Sequence, residues 1–431
     1  MSLTTSIANS NDLAPEDLAQ LLFDRLTAET FDGVGITREC YADGENAALA
    51  IFRTVAEDFG LVTDIDPAGN LIFRSAHDDG VQPAHYTGSH ADSVVQGGNF
   101  DGAAGIIAGL LCLIKINRSE TRLRKPVRVI ALRGEESSFY GRANIGSRAL
   151  FGQLQPADLA AKSRGVGRTL GEAMASVGID VGPISRSETL FDPRQALSYL
   201  ELHIEQGPVM IARNLPTSVV TGIRGNVRHR RIVCVGEAGH SGAVPRWLRK
   251  DAVFAFADLI QRLDEHWQIL LQRGLDLVIT SGIVSTEPDE HSISRIPGEV
   301  AFSFEIRSQS HDTLEAFYQL FRAECRTISA LRSVQFEFDE RVDTEPARMD
   351  PAIIAKLTAA SEALGLTTEL IPSGAGHDAA VFSNAGIPSG MIFVRNANGS
   401  HNPQEQMEIA DFMVGVDVLY HALISESEPV T

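Results

Sequence analysis

The sequence contains little cysteine, and its four thiols lie far apart. The CxxC spacing is typical of thiolate zinc sites. No CxxC pair is formed by Cys40, Cys112, Cys234 and Cys325. Their scatter also argues against a disulfide framework. We therefore expect reduced thiols and, in any metal site, ligands other than cysteine.

An excess of positive charge and long apolar runs are also missing. The formal net charge is −19, whereas a surface for nucleic acid or an anionic membrane needs clustered Lys and Arg. No stretch reaches the roughly 20 apolar residues of a membrane span. The first segment, MSLTTSIANSNDLAPEDLAQ, lacks the basic and apolar regions of a secretory signal. The sequence predicts a soluble, cytoplasmic protein that binds neither nucleic acid nor membrane.

The order of apolar patterns predicts two domains, one inserted into the other. A length of 431 residues exceeds what one core usually organises. Residues 228–340 follow a βαββαβ order, which is a ferredoxin-like layout. We expect an α/β domain with a mixed, mostly parallel sheet flanked by helices at residues 1–215 and 342–431. An inserted ferredoxin-like α+β domain is expected at 216–341.

Metal-type residues stand where predicted strands end. In the glycine-rich segment GSHADSVVQGGNFDGAAG, His90 follows an apolar strand and Asp101 precedes a helix, so one connecting loop could present both to an ion. Glu135 and Glu136 directly follow the strand KPVRVIALRG and should point to opposite sides. Each residue alone could be structural, but together they favour metal-assisted hydrolysis.

Two further histidines complete the set. His203 lies in ELHIEQG and His401 in GSHNPQE, and they supply the imidazoles that a pair of divalent ions needs beside carboxylates. Histidine and carboxylate ligands without thiolates suit zinc, and also manganese, cobalt or nickel. We predict two divalent ions per subunit, with one carboxylate left free to take a proton from water.

An ordered set of motifs closely resembles the hydantoinase/carbamoylase branch of the M20 metallopeptidase-like amidohydrolases. That branch includes N-carbamoyl-L-amino-acid hydrolases, allantoate amidohydrolases and β-ureidopropionases, and the likeness extends from about residue 20 to 425. The motifs are GSHADSVVQGGNFDG, GEESSFYG, YLELHIEQGPVM, GHSGAVPRWLRKDA, RIPGEVAFSFEIR, SGAGHDA and GSHNPQEQ.

The resemblance implies a role for each metal-type residue. Asp101 would bridge the ions, with His90 and His203 completing one shell and Glu136 and His401 the other. Glu135 would be the general base, which takes a proton from water and later protonates the leaving nitrogen.

Other roles that the resemblance implies fall partly on the inserted domain, which would serve for dimerisation and as a lid. His240, in GHSGA, would stabilise the oxyanion in the partner subunit's active site, so the enzyme would be a homodimer. Arg307 would grip a substrate carboxylate. Gln206, His377 and Asp378 would contact the substrate or support the ligands.

Two positions depart from the family pattern. Ser294 stands where the family typically has an asparagine that helps bind the substrate, and Arg246 replaces a methionine. We hypothesise altered substrate recognition, with a bulkier or more anionic substrate. Ser294→Asn should then change the preference across a substrate panel.

Three alternatives compete with an N-carbamoyl-amino-acid or related amidohydrolase. An N-acyl-amino-acid deacylase or dipeptidase would use the same metals and release an amine instead of ammonia. A binding protein that keeps the fold would not need a complete ligand set. A serine hydrolase is suggested only by GHSGA, which lacks the final glycine of a nucleophile elbow.

Overall fold

The computed structural model describes residues 13–119, 122–164, 167–425 and 427–428. Residues 1–12, which form much of the segment searched for a secretory signal, lie outside the described residues. Contacts divide the chain into two compact units. The main unit is formed by the chain up to residue 221 and from residue 348 onward, and the inserted unit by residues 222–347.

The elements are numbered along the chain. The strands are β1 (Leu61–Ile65), β2 (Leu71–Ser75), β3 (Ala84–His90), β4 (Arg122–Leu123), β5 (Val127–Leu132), β6 (Ala196–Ile204), β7 (Thr217–Ile223), β8 (Gly225–Val235), β9 (Gly239–His240), β10 (Val278–Thr280), β11 (Val284–Ser285), β12 (Arg295–Ile296), β13 (Glu299–Ser308), β14 (Gln335–Phe338), β15 (Val342–Thr344), β16 (Ala347–Arg348), β17 (Leu370–Ser373), β18 (Ser389–Val394) and β19 (Ser427–Glu428). The helices are α1 (Pro15–Thr30), α2 (Asp43–Asp58), α3 (Ala103–Arg118), α4 (Ile145–Leu150), α5 (Pro156–Leu159), α6 (Leu170–Ser176), α7 (Val181–Ser185), α8 (Val209–Arg213), α9 (Ala252–Gln272), α10 (His311–Arg332), α11 (Pro351–Ala363), α12 (Asp378–Asn384) and α13 (Ile409–Ile424).

The main unit is built on a mixed sheet. Its strands run in the order β1-β2-β5-β3-β6-β18-β7-β16, with β17 paired to β7. The central strands β5, β3, β6 and β18 are parallel, whereas β1, β2 and β7 add antiparallel neighbours. Parallel strands bring their carboxyl ends to one edge of a sheet. The predicted fold class, a mixed sheet with a parallel centre flanked by helices, is confirmed.

The central elements are buried because nearly all of their side chains are apolar, and the buried Arg128 of β5 is paired with Asp78. All six residues of β5, VRVIAL, are buried, as expected of a strand covered on both faces. Helix α3 is buried along almost its whole length, and a helix that is apolar all round belongs in a core. Together they place the loops that follow β3 and β5 beside each other.

In the inserted unit, the four strands of the main sheet path and the two long helices follow one another as β8, α9, β10, β13, α10 and β14. Its main sheet runs β10-β13-β8-β14, and α9 and α10 cover a core in which Phe304 and Phe321 stack with ring centroids 3.8 Å apart. The sequence predicts one strand over residues 275–283, but only residues 278–280 form a strand, β10, and β11 begins at residue 284. The pairing is interrupted because Ser281 Oγ donates to Ser303 O and Ile283 N donates to Ser303 Oγ.

No helix of the described ranges combines the length and the apolar character needed to cross a bilayer. All four cysteines are buried, and none is in a disulfide.

Candidate metal centre

The metal-type residues of the main unit meet at the carboxyl edge of its parallel strands. His90 is the last residue of β3, His203 lies near the end of β6, and Glu135 and Glu136 follow β5 within four residues. Asp101 lies two residues before the first residue of α3. All five side chains are buried. His401 comes from a loop before α13, with a positive φ of 60° and a side chain that is 51% exposed.

His90, Asp101 and His203 form the first group of possible ligands. Asp101 Oδ1 lies 3.1 Å from His203 Nε2 and 3.4 Å from His90 Nε2. His90 Nδ1 lies 3.2 Å from the Asp92 carbonyl and His203 Nδ1 lies 2.9 Å from the Ile204 carbonyl. Since a carbonyl can only accept, both Nδ1 atoms carry the proton, and in the neutral rings both Nε2 lone pairs face the same point.

Asp101, Glu136 and His401 form the second group. His401 Nε2 lies 3.0 Å from Glu136 Oε1 and 3.5 Å from Asp101 Oδ2. The two oxygens of Asp101 therefore face different groups. Burial disfavours the charge on Asp101, but His203, His401 and His90 together hold the pKa of its carboxyl well below the ordinary value.

The separations within both groups suit a divalent ion. Bonds of about 2.0–2.1 Å in a tetrahedral site imply ligand atoms roughly 3.3 Å apart, and the observed separations are 3.0–3.5 Å. Asp101 Oδ1 is buried and accepts no hydrogen bond of good geometry although two imidazole nitrogens are close. A buried carboxylate oxygen without a donor is costly, and a cation between these atoms would remove the cost. The residues present therefore fit divalent ions.

Asp92 was missed in the sequence, yet it connects three parts of the centre. Its Oδ1 accepts from Glu135 N and its Oδ2 from Glu136 N, both at 3.0 Å. Oδ1 also lies 3.3 Å from His90 Nδ1. The side chain is fully buried. Its position two residues after His90 was the available signal, since a histidine ligand commonly donates its other nitrogen to a carboxylate.

Glu135 lies beside the first group and is held by an amide. Its Oε2 is 4.0 Å from His90 Nε2, and its Oε1 accepts from Asn144 Nδ2 at 3.3 Å. The same Nδ2 donates to Asp378 Oδ1 at 3.1 Å, which also accepts from Ser147 Oγ at 2.5 Å. Burial raises the pKa of Glu135 well above its ordinary value, while His90 acts in the opposite direction.

Gln206 lies against the shared carboxylate. Its Nε2 donates to Asp101 Oδ2 at 2.7 Å, and its backbone has a φ of 62°. Ser400 Oγ lies 2.5 Å from the same oxygen and from Glu405 Oε2. Glu405 Oε1 in turn accepts from Asp101 N. Glu405 lies in the motif GSHNPQE, but its hydrogen bond to Asp101, 304 residues away in the chain, could not be predicted from the sequence.

His377 belongs to a third group, with Glu201 and His203. Both oxygens of Glu201 are already hydrogen-bonded, to Ser89 Oγ at 2.7 Å and Ala379 N at 2.9 Å. Burial lowers the pKa of His377 well below its ordinary value, so its ring is neutral. This group therefore has less to offer an ion, and the His377 ring packs edge-on against His203 with ring centroids 4.4 Å apart.

The remaining predicted residues belong to the inserted unit. His240 in β9 and Ser294 next to β12 are exposed and adjacent, because β9 pairs with β12 and Ser241 N donates to Ser294 O at 2.8 Å. Arg246 is exposed in a short 3-10 turn. Arg307 donates to both oxygens of Glu305, at 3.0 and 3.1 Å.

A mixed sheet flanked by helices, with histidine and carboxylate ligand groups at the carboxyl edge of its parallel strands, is typical of hydrolases that use divalent metal ions. Residues 74–425 match the pattern of peptidase family M20/M25/M40. The chain belongs to this family.

Its relatives include two named amidohydrolases. The allantoate amidohydrolase of Escherichia coli (strain K12) is 32% identical over 389 residues, covering 89% of this chain and 91% of that protein. The N-carbamoyl-L-amino acid amidohydrolase of Geobacillus stearothermophilus is 32% identical over 390 residues, covering 90% and 93%. A crystal structure of a hydantoinase/carbamoylase family amidase from Burkholderia multivorans has a TM-score of 0.86 at 27% identity, covering 96% and 98%. The predicted resemblance and the prediction of an amidohydrolase are confirmed.

Proposed function

We propose that the protein is a dinuclear-metal amidohydrolase that cleaves a linear amide or ureido C–N bond in a small substrate bearing a carboxylate. The substrate class is N-carbamoyl-L-amino acids or related compounds such as allantoate and ureidopropionate. The observation that carries the proposal is the placement of Asp101, which belongs to both ligand groups. Its Oδ1 faces the group with His203, and its Oδ2 faces the group with His401. A carboxylate that serves two ions is the central requirement of a bridged pair.

Two divalent ions, zinc or else manganese, cobalt or nickel, would lower the pKa of a water molecule and polarise the substrate carbonyl. Glu135 Oε2 faces this centre and accepts the proton from the attacking water. The carboxyl then returns that proton to the leaving nitrogen. A raised pKa brings a carboxyl closer to neutral pH, where it can both accept and donate.

The substrate would be held by residues outside the metal groups. Gln206 donates to Asp101, and His377 lies in a group with His203. Asp378 shares the amide of Asn144 with Glu135. All three are proposed to contact the substrate or support the ligands, and Arg307 is proposed to bind the substrate carboxylate. Because Glu305 already accepts from two nitrogens of Arg307, the substrate carboxylate has to share or displace that contact. His240 is proposed to stabilise the oxyanion, and Ser294 to contribute to recognition.

A homodimer is proposed because the inserted unit presents much apolar surface. Most of the exposed large apolar side chains among the described residues belong to it, including Trp247 at 81%, Ile283 at 63% and the fully exposed Ile293. Exposed apolar surface of this kind marks an interaction site. In the proposed dimer, His240 of one subunit completes the active site of the other.

A substrate panel tests the function. Protein reconstituted with Zn²⁺, Mn²⁺, Co²⁺ or Ni²⁺ is incubated with N-carbamoyl amino acids of both hands, β-ureidopropionate, allantoate, N-acyl amino acids and dipeptides, and ammonia and primary amine are measured separately. We expect metal-dependent ammonia release from an N-carbamoyl or ureido substrate, and no turnover by Glu135→Gln. Amine release from N-acyl amino acids or dipeptides alone would identify a deacylase or peptidase instead. No turnover of any compound with metal bound would contradict an enzymatic role.

A further inference from the structure

Asn144 lies between two buried carboxylates and donates to both. Its Nδ2 is 3.3 Å from Glu135 Oε1 and 3.1 Å from Asp378 Oδ1. Glu135 is 8% exposed and Asp378 1% exposed. An amide nitrogen has two protons, so this one group can satisfy one oxygen of each acid. The second oxygen of Asp378 accepts no hydrogen bond.

The contact distinguishes the two oxygens of Glu135. Oε1 is held by Asn144, whereas Oε2 lies on the side of His90, 4.0 Å from Nε2. A carboxylate attached at one oxygen cannot rotate freely about its last bond. The amide therefore keeps Oε2 facing the ligand groups.

The backbone at Asn144 is shaped for this contact. Its φ is 53° and ψ 42°, at the start of α4. Residues with a side chain adopt this left-handed conformation at a cost, and asparagine tolerates it better than most. The backbone also returns to Glu135, because Asn144 N donates to Glu135 O at 2.9 Å. Strained backbone of this kind clusters at functional sites.

We propose that Asn144 is a positioning residue for the general base, which fixes Oε1 of Glu135 so that Oε2 faces the attacking water. The inference rests on the proposed function, in which Glu135 is that base. Asn144 also keeps Glu135 and Asp378 apart by standing between their facing oxygens.

Two substitutions separate this role from a purely steric one. Asn144→Gly removes the amide while accommodating the left-handed backbone. Asn144→Asp keeps the shape but puts a third carboxylate where the donor was. We expect kcat for the substrate found in the panel to fall roughly 10- to 100-fold in Asn144→Gly, the range for losing a hydrogen bond to a charged group. Asn144→Asp should lose more, and KM should change little in both.

Readouts other than activity complete the test. Metal affinity by chelator competition and the unfolding midpoint should stay close to wild type in Asn144→Gly. A crystal structure of the metal-free Asn144→Gly protein should show the Glu135 carboxylate rotated from its wild-type position. Asn214 is another left-handed asparagine, with a φ of 53°, and its Oδ1 accepts from Arg395 Nη1 at 2.7 Å. Asn214→Gly is therefore the matched control and should keep wild-type kinetics.

The outcomes separate this inference from the proposed function. A kcat within twofold of wild type in Asn144→Gly, or better turnover in Asn144→Asp than in Asn144→Gly, would overturn the positioning role. A loss explained by weaker metal binding or by unfolding would overturn it too. Full turnover in Glu135→Gln would instead show that the base has been wrongly assigned, whatever Asn144 does.

Discussion

At the residue scale, Asp92 stabilises the candidate metal centre although its carboxylate points at supporting atoms and not at the ligand atoms. One buried carboxylate accepts the backbone N–H groups of both Glu135 and Glu136 and lies beside His90 Nδ1. Each of these contacts fixes a neighbour whose other end points at the ligand groups. Asp92 thus ties the loop after β5 to the last residue of β3.

Asp92→Asn is therefore expected to weaken metal binding about 10- to 100-fold, the range seen when partners of metal ligands are removed. An amide has one acceptor oxygen, so its NH₂ would face either a backbone N–H or the protonated Nδ1 of His90. Affinity is measured by competition with a chelator. Asp350, whose Oδ1 accepts two backbone N–H groups at the start of α11, supplies the control Asp350→Asn, which should bind metal normally. Equal affinity in both variants would show that Asp92 does not orient the ligands.

The ligands could be predicted from the sequence, whereas most of their partners could not. His90, Asp101 and Glu136 are recognisable because residue type and position at a strand end carry the information locally. Asn144 and Glu405 act through contacts with residues 9 and 304 positions away. An asparagine before a short helix resembles an ordinary cap, so only the folded chain shows that its amide reaches two acids.

At the element scale, the loop from β3 to α3 has to pass very close to a ligand ring. Gly102, the residue before α3, has a φ of 69°, and a Cβ placed on it would lie 2.4 Å from His90 Cε1 and Nδ1. The sequence predicts that this segment needs glycine, and at Gly102 the need has two causes. The His90 imidazole leaves no room for a Cβ, and the backbone enters the helix in a left-handed conformation.

Gly102→Ala should reduce metal affinity by displacing His90, in addition to the cost of about 1 kcal/mol for a left-handed alanine. Gly60 offers a control because it has a similar φ of 72° and nothing within 4 Å of an added Cβ. Gly60→Ala should lose similar stability in urea unfolding but keep its metal affinity. If both variants bound metal as tightly as wild type, the close approach at His90 would not matter for the centre.

Elements with a strong apolar pattern were predicted well. The apolar run 127–132 predicts a strand, which is β5, and the run 102–116 predicts a buried helix, from which α3 differs by one or two residues at its ends. The antiparallel strands β1, at one edge of the sheet, and β7, between β18 and β16, were not predicted, because their pairing depends on the rest of the sheet. Strand β6 was harder to recognise in the sequence, because its buried segment contains the polar residue His203, which interrupts the apolar run.

At the scale of the whole molecule, the residues assigned to the reaction are divided between the two units. The ligand groups and Glu135 belong to the main unit, whereas His240 and Arg307 belong to the inserted unit. The proposed chemistry needs all of them at one substrate. The proposed homodimer, in which each inserted unit supplies residues to the partner's active site, meets that need. Variants in the two sets of residues can then be placed on different subunits and tested for complementation.

A mixed dimer tests this arrangement. Glu135→Gln and His240→Ala are expected to be nearly inactive alone, and His240→Ala should keep its metal because His240 is outside the ligand groups. When the two variants are co-expressed with different tags and the heterodimer is purified through both, one of its two sites would combine an intact Glu135 with an intact His240. Activity should then return to about half of wild type per dimer. If His240 acts within its own subunit, every site still lacks one residue and the heterodimer stays inactive, which would contradict completion of the site by the partner. Loss of metal from His240→Ala would instead place that histidine among the ligands.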